Sequence, residues 1–292
     1  MVTLPASVLS GYERFSRYNS PYPAHDRGCA IDLYPGENGG PAPSPVAGEV
    51  IDTRTVRCPP RPYAVDTDHL ILVDTGEHVA RILHVDPAVG AGDEVAVGDS
   101  LGRLVRSGFF GRWVDDHVHL GFRAPDANPY RASGSLPLAV DCAVSPLAWD
   151  GTGEIVEVGE THVRLDTPVG GDGFAALASD EGIPLDGGLA HYTGAGTFGL
   201  SSGTLSLLGT EVATESDDGL VWRDVAVTAD GGDATGLSLF ATPNEVGAKI
   251  VFHEGHDFVG GGSGCGGIDE TADPVRLGEP GCGGGPVRRF CP

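Results

Sequence analysis

Apolar side chains recur along this chain in short runs, each cut off by glycine, proline or aspartate. Val46 to Val56, Leu70 to Asp74, Val79 to Val85 and His117 to Phe122 are β-branched or apolar stretches of this kind, and the pattern predicts strands. Val89-Gly90-Ala91-Gly92-Asp93 and Val97-Gly98-Asp99 supply tight turns between them, where a positive φ costs glycine little. Helical periodicity of any length is missing, and 46 Gly with 22 Pro would break it. Past Asp141 the same grammar resumes, at Gly153 to Thr167, Leu205 to Ala213, Gly219 to Val227 and Ala248 to His253. The fold class predicted is all-β. An N-terminal extension spans 1–21, an antiparallel β domain 22–141, a β-rich accessory domain 142–259 and a Gly/Cys-rich tail 260–292.

The predicted strand at His117 carries the chemistry. Alternate strand residues share a face, so His117 and His119 project together. Taken alone, such a pair is equally a polar patch on a solvated face. Its company is His25, Asp32 and His84, and imidazoles joined by a carboxylate are a common way to build an open zinc site.

Four blocks surround these residues in order. They are His25-Asp26-Arg27-Gly28-Cys29-Ala30-Ile31-Asp32-Leu33, then Pro43-Ser44-Pro45-Val46-Ala47-Gly48-Glu49-Val50. The third runs from Ile82-Leu83-His84-Val85 to Gly98-Asp99-Ser100-Leu101-Gly102, and the fourth is His117-Val118-His119-Leu120-Gly121-Phe122-Arg123. Together they resemble the M23 (LytM or lysostaphin-type) zinc metallopeptidase family over about residues 22 to 140. The resemblance implies a curved sheet with a groove and a bound Zn2+ held by His25, Asp32 and His119. It also implies His84 and His117 as the further histidines acting on the water and the transition state, and a peptide or peptide-like substrate.

One departure stands out. The family has three residues between its first histidine and the aspartate, whereas six separate His25 from Asp32, and the matching position is Gly28. Three outcomes follow: an insertion loops out and His25 still reaches the metal, Cys29 replaces it as a thiolate, or the site has lost its metal.

Composition narrows the partners. A formal charge of -23 argues against nucleic acid phosphates and anionic membrane surfaces. The cations are 17 Arg and the single Lys249, an acidic, lysine-poor balance that resembles proteins of extreme halophiles. No apolar run is long enough to span a membrane, and Met1 to Tyr22 lacks the pattern of a signal peptide, so a cytoplasmic protein with free thiols is expected. None of the six cysteines forms a C-x-x-C pair; Cys265, Cys282 and Cys291 could join His253 or His256 in a second metal site. His162 and His191 read as surface or core residues, and the loop Gly187 to Gly196 lacks the Lys of a phosphate loop. The turn pattern also suits biotinyl-type carrier domains. Those need a lysine at a hairpin tip, and Lys249 lies far outside the region. Two readings survive: a zinc peptidase, or a catalytically silent scaffold of the same fold used for protein contacts.

Overall fold

The computed structural model describes residues 1–20, 22–189, 195–199, 203–216, 219–222, 227–229, 232–234, 237–243, 247–252 and 275–276. The chain divides into two units, Met1–Ala143 and Val144–Pro292. It is all-β: two four-residue turns, α1 (Ala6–Leu9) and α2 (Pro23–Asp26), are the only α-helix among the described residues. Among the described residues no helix is long and apolar enough to cross a membrane.

In the first unit the strands are β1 (Val2–Pro5), β2 (Arg14–Ser16), β3 (Ala30–Tyr34), β4 (Pro41–Pro43), β5 (Gly48–Arg57) and β6 (Thr67–Asp74). They continue with β7 (Val79–Leu83), β8 (Val85–Pro87), β9 (Glu94–Val95), β10 (Ser100–Leu104), β11 (Val118–Arg123) and β12 (Leu138–Asp141). Seven of them make one antiparallel sheet in the order β2-β3-β11-β7-β6-β5-β9, curled into a half-barrel. Strand alternation gives its two faces different characters. Ile31, Leu33, Ile71, Ala80, Ile82, Val118 and Leu120 are each 0% exposed, and their registers place them on one face. That face is the core. Opposite Asp32 in register stands His119, and His119 in turn opposes Leu83, so the other face carries the polar chemistry.

Two strands, β1 and β2, fall in the stretch 1–21 expected as an extension. Strand β2 pairs with β3 at the sheet edge, β1 pairs in parallel with β12, and Leu4, Leu9 and Phe15 are buried. Their apolar positions are too sparse for a local pattern, and their partners lie far along the sequence. The single strand expected from Val79 to Val85 is split. His84 adopts φ 69, a left-handed conformation unusual for a side-chain-bearing residue, and it sends β7 and β8 into different sheets.

The second unit is built from hairpins. Ile155–Val158 and His162–Leu165 pair antiparallel, and His162–Leu165 continues onto Lys249–Phe252. Leu205–Leu207 and Thr210–Ser216 turn at Leu208 and Gly209, both with positive φ, as a tight hairpin requires. Asp180 accepts both of their N–H groups, at 2.9 and 2.8 Å. Val163, Leu165, Leu177, Leu185, Leu205, Leu207, Val212 and Ile250 form its core.

Candidate metal centre

The sheet register brings the central pair together. Asp32 on β3 and His119 on β11 are direct cross-strand partners, and His119 Nδ1 stands 2.9 Å from Asp32 Oδ1. His25 arrives by a different route. The helical turn α2 ends in a Schellman closure, in which the Gly28 N–H donates to the His25 carbonyl at 2.8 Å and the Cys29 N–H to the Ala24 carbonyl at 2.7 Å. Gly28 takes the left-handed conformation that this closure needs, φ 61. The lengthened spacing between His25 and Asp32 is therefore absorbed in one compact turn.

His25 Nε2 then lies 3.2 Å from His119 Nδ1 and 3.4 Å from Asp32 Oδ1. A zinc ion with tetrahedral bonds of about 2.0–2.2 Å separates its ligand atoms by about 3.3–3.6 Å. The observed triangle, 2.9, 3.2 and 3.4 Å, is close to that size. Among the described residues these three are the one cluster of potential ligands that converges in this way. Cys29 stands apart: its thiol donates to the Arg27 carbonyl at 3.5 Å and does not join the cluster, which removes the thiolate alternative.

Protonation suits a cation. His25 Nδ1 faces the Arg17 carbonyl at 2.7 Å; a carbonyl only accepts, so this nitrogen donates, and Nε2 is the atom turned toward the cluster. Burial pushes His119 down to about 4 against the pull of Asp32, which keeps the ring neutral near pH 7. Burial would raise Asp32, yet His25, His117 and His119 around it hold its carboxyl well below the usual range. Two imidazoles and one carboxylate are a donor set that fits a zinc dication.

His84 and His117 flank this triangle. Their rings lie 5.0 Å apart, and the His84 ring is 5.7 Å from that of His119. His117 Nδ1 donates to the Asp115 carbonyl at 2.8 Å, leaving Nε2 toward the cluster, 3.6 Å from Asp32 Oδ1. Burial lowers His117 to about 4. Two contacts of Asp116 fix the segment leading into β11: its N–H donates to Asn38 Oδ1 at 2.7 Å, and Arg106 reaches its carboxylate at 3.1 Å.

Asp68, on β6, is a functional candidate that the sequence did not reveal. Its carboxylate meets His84 Nδ1 at 2.5 Å and accepts from the His84 N–H at 2.9 Å and the Ser107 hydroxyl at 2.6 Å. Burial opposes its ionisation, but His84 first and then Ser107 hold it at about 2. A signal was available. Asp68 falls in phase with Leu70 and Leu72 on the strand, a carboxylate placed where an apolar side chain belongs. His162 lies in the second unit, 3.5 Å from Glu157 across a hairpin. His191, His253, His256, Cys265, Cys282 and Cys291 lie outside the described residues, and with them the second metal site expected there.

Comparison with known proteins adds the following. Residues 3–140 match the family described as "Domain of unknown function (DUF8155) N-terminal domain", and residues 145–263 match the DUF8155 C-terminal domain. Among curated proteins none matches. Solved structures similar to this chain include the catalytic domain of the antimicrobial peptidase lysostaphin from Staphylococcus simulans. It is 18% identical, with a TM-score of 0.31, over 45% of this chain and 92% of that one. The lysostaphin of the same organism is similar at 13% identity and a TM-score of 0.29, over 83% and 96% of the two chains. A solution structure of lysostaphin is similar at 14% identity and a TM-score of 0.27, over 73% and 95%. Likenesses this distant carry no weight beyond themselves, and the site stands on its own geometry.

Proposed function

The chain belongs to the DUF8155 family, and for this member we propose that the N-terminal domain is a zinc-dependent hydrolase of peptide or amide bonds. The observation that carries the reading is the convergence of His25, Asp32 and His119 with two further histidines beside them. His25, Asp32 and His119 would hold the ion, and three protein ligands leave a position for water. Bound zinc supplies a Lewis acid that lowers the pKa of that water toward neutrality.

The remaining chemistry belongs to the chain. His117, neutral and with its Nε2 facing inward, accepts a hydrogen bond from the attacking water and orients it. His84 is the proton acceptor in this reading, because the Asp68 carboxylate takes its Nδ1 N–H and leaves Nε2 as the accepting atom. Once protonated at Nε2, His84 donates to the developing oxyanion or to the leaving amine. Phe110, with its ring centroid 4.6 Å from that of His117 and 5.2 Å from that of His84, walls this side against water. The family resemblance of the sequence favours slim side chains around the scissile bond.

The test is metal analysis with peptide cleavage. Full-length protein should carry one zinc per chain and cleave oligoglycine or alanine-containing peptides, lose both on chelation and regain both with zinc. A folded, zinc-loaded chain that cleaves nothing in a broad peptide panel would make the domain a silent binding scaffold.

A further inference from the structure

The polar face of the sheet holds a second feature, two residues along β11 from His119. Gly121 opposes Arg81 on β7, as His119 opposes Leu83, so Arg81 shares the face of the metal cluster. At about 3.3 Å per residue this places Arg81 within one or two peptide units of the ligands. Leu70, Leu72, Val79 and Leu83 surround it with apolar floor. Arg123 lies beside it: the Arg123 charge, added to burial, lowers the Arg81 guanidinium to about 10.

Arg123 is committed. Its terminal nitrogens donate to Ser135 Oγ at 2.5 Å and to the carbonyls of Phe122, Arg131 and Ala132, which pins the loop 124–136. Its charge, however, is neutralised by no carboxylate among the described residues, and neither is that of Arg81. Arg81 Nε and Arg123 Nε are buried donors with no acceptor among the described residues. In a chain with 41 acidic residues against 18 Lys and Arg, two adjacent guanidinium groups lacking an acid are out of keeping with the overall charge balance. Leaving a buried charged donor unmatched costs free energy that an incoming anion recovers.

Building on the hydrolase reading above, we infer that Arg81, with Arg123 beside it, is a subsite for a carboxylate of the peptide substrate. A planar carboxylate matches the guanidinium fork and makes charge-assisted hydrogen bonds. The local positive charge also draws an anionic peptide to a face of the sheet from which the molecule's overall charge would otherwise repel it. The carboxylate comes from the peptide's C-terminus or from an acidic side chain near the scissile bond.

Three probes separate these: acetyl-tetraglycine with a free C-terminus, its C-terminal amide, and acetyl-Gly-Gly-Asp-Gly amide. Their binding to the full, zinc-loaded chain is measured by calorimetry in salt that keeps it folded, alongside Arg81→Met and Gly121→Glu. A Cβ at Gly121 meets nothing closer than 3.6 Å, so the backbone there admits a side chain at the position in register with Arg81. One of the two carboxylate peptides should bind about tenfold more tightly than the amide, and both variants should erase that preference. Which one wins identifies the source. Equal binding of all three, binding of none, or a preference that survives both variants overturns the subsite. A chain that prefers the carboxylate yet cleaves no peptide sinks the hydrolase and leaves the subsite standing.

Discussion

At the scale of single residues, the site separates groups that would hold a cation from groups that would move protons. His119→Ala should abolish zinc binding, since two remaining ligands are too few for a tetrahedral site. His117→Ala should keep the zinc and lower the cleavage rate about 10²- to 10⁴-fold, as loss of an acid–base group does. Metal content and rate measured on the same two variants decide this; zinc retained in His119→Ala would refute the ligand assignment. Asp68 offers a test that needs no substrate. Its folded-state carboxyl titrates at about 2 against an ordinary value of about 3.9. The sign is that of a depressed acid: the stabilisation is present above pH ~4 and is lost as pH falls toward ~2. Acid unfolding of Asp68→Asn should therefore be shallower over this window than that of wild type, with the difference read by circular dichroism. Identical acid limbs would show that the Asp68–His84 pair contributes nothing to folding.

At the scale of elements, the placement of His25 depends on a turn one helical repeat long. Gly28 at φ 61 closes it, and a Cβ there would approach Arg17 Nη2 to 2.7 Å. Arg17 is the residue whose carbonyl orients the His25 ring. Gly28→Ala should cost about 1–2 kcal/mol in stability, from the left-handed backbone alone. It should also weaken zinc binding, because both the turn and the Arg17 carbonyl shift. Thermal melts with and without zinc report the two effects separately; an unchanged Tm would show that the closure tolerates a side chain. His84 makes the complementary point. Its left-handed backbone breaks one predicted strand into β7 and β8, and its N–H and its ring both end on Asp68. Such strain persists only where surrounding contacts over-determine it, and those contacts here belong to the site.

At the scale of the whole molecule, net charge governs the response to salt. The sequence carries -23 with one lysine. Repulsion of that size destabilises the folded state in dilute buffer, and salt screens it over about 10 Å at 0.1 M and about 3 Å at 1 M. The Tm should rise steadily from dilute buffer to molar KCl. A Tm independent of salt would speak against adaptation to concentrated salt. The same screening should weaken the Arg81 preference for a carboxylate, so binding is best compared at the lowest salt that holds the fold.

Much of this was legible in the chain itself, because strand alternation and turn chemistry are local. The all-β class, the strand runs and the shared face of His117 and His119 follow from period-two patterning and from glycine and proline breaks. The five candidate residues His25, Asp32, His84, His117 and His119 could be picked out by type and order. Only the tertiary structure decided what depends on distant partners. The register of β3 on β11 sets Asp32 against His119, and the closure at Gly28 carries His25 across the altered spacing. Strands β1 and β2 find their partners far along the chain, at β12 and β3. Asp68 reaches His84 from a neighbouring strand, and Arg81 stands opposite a glycine rather than an acid. Each of these is a pairing between residues remote in sequence, which no local pattern encodes.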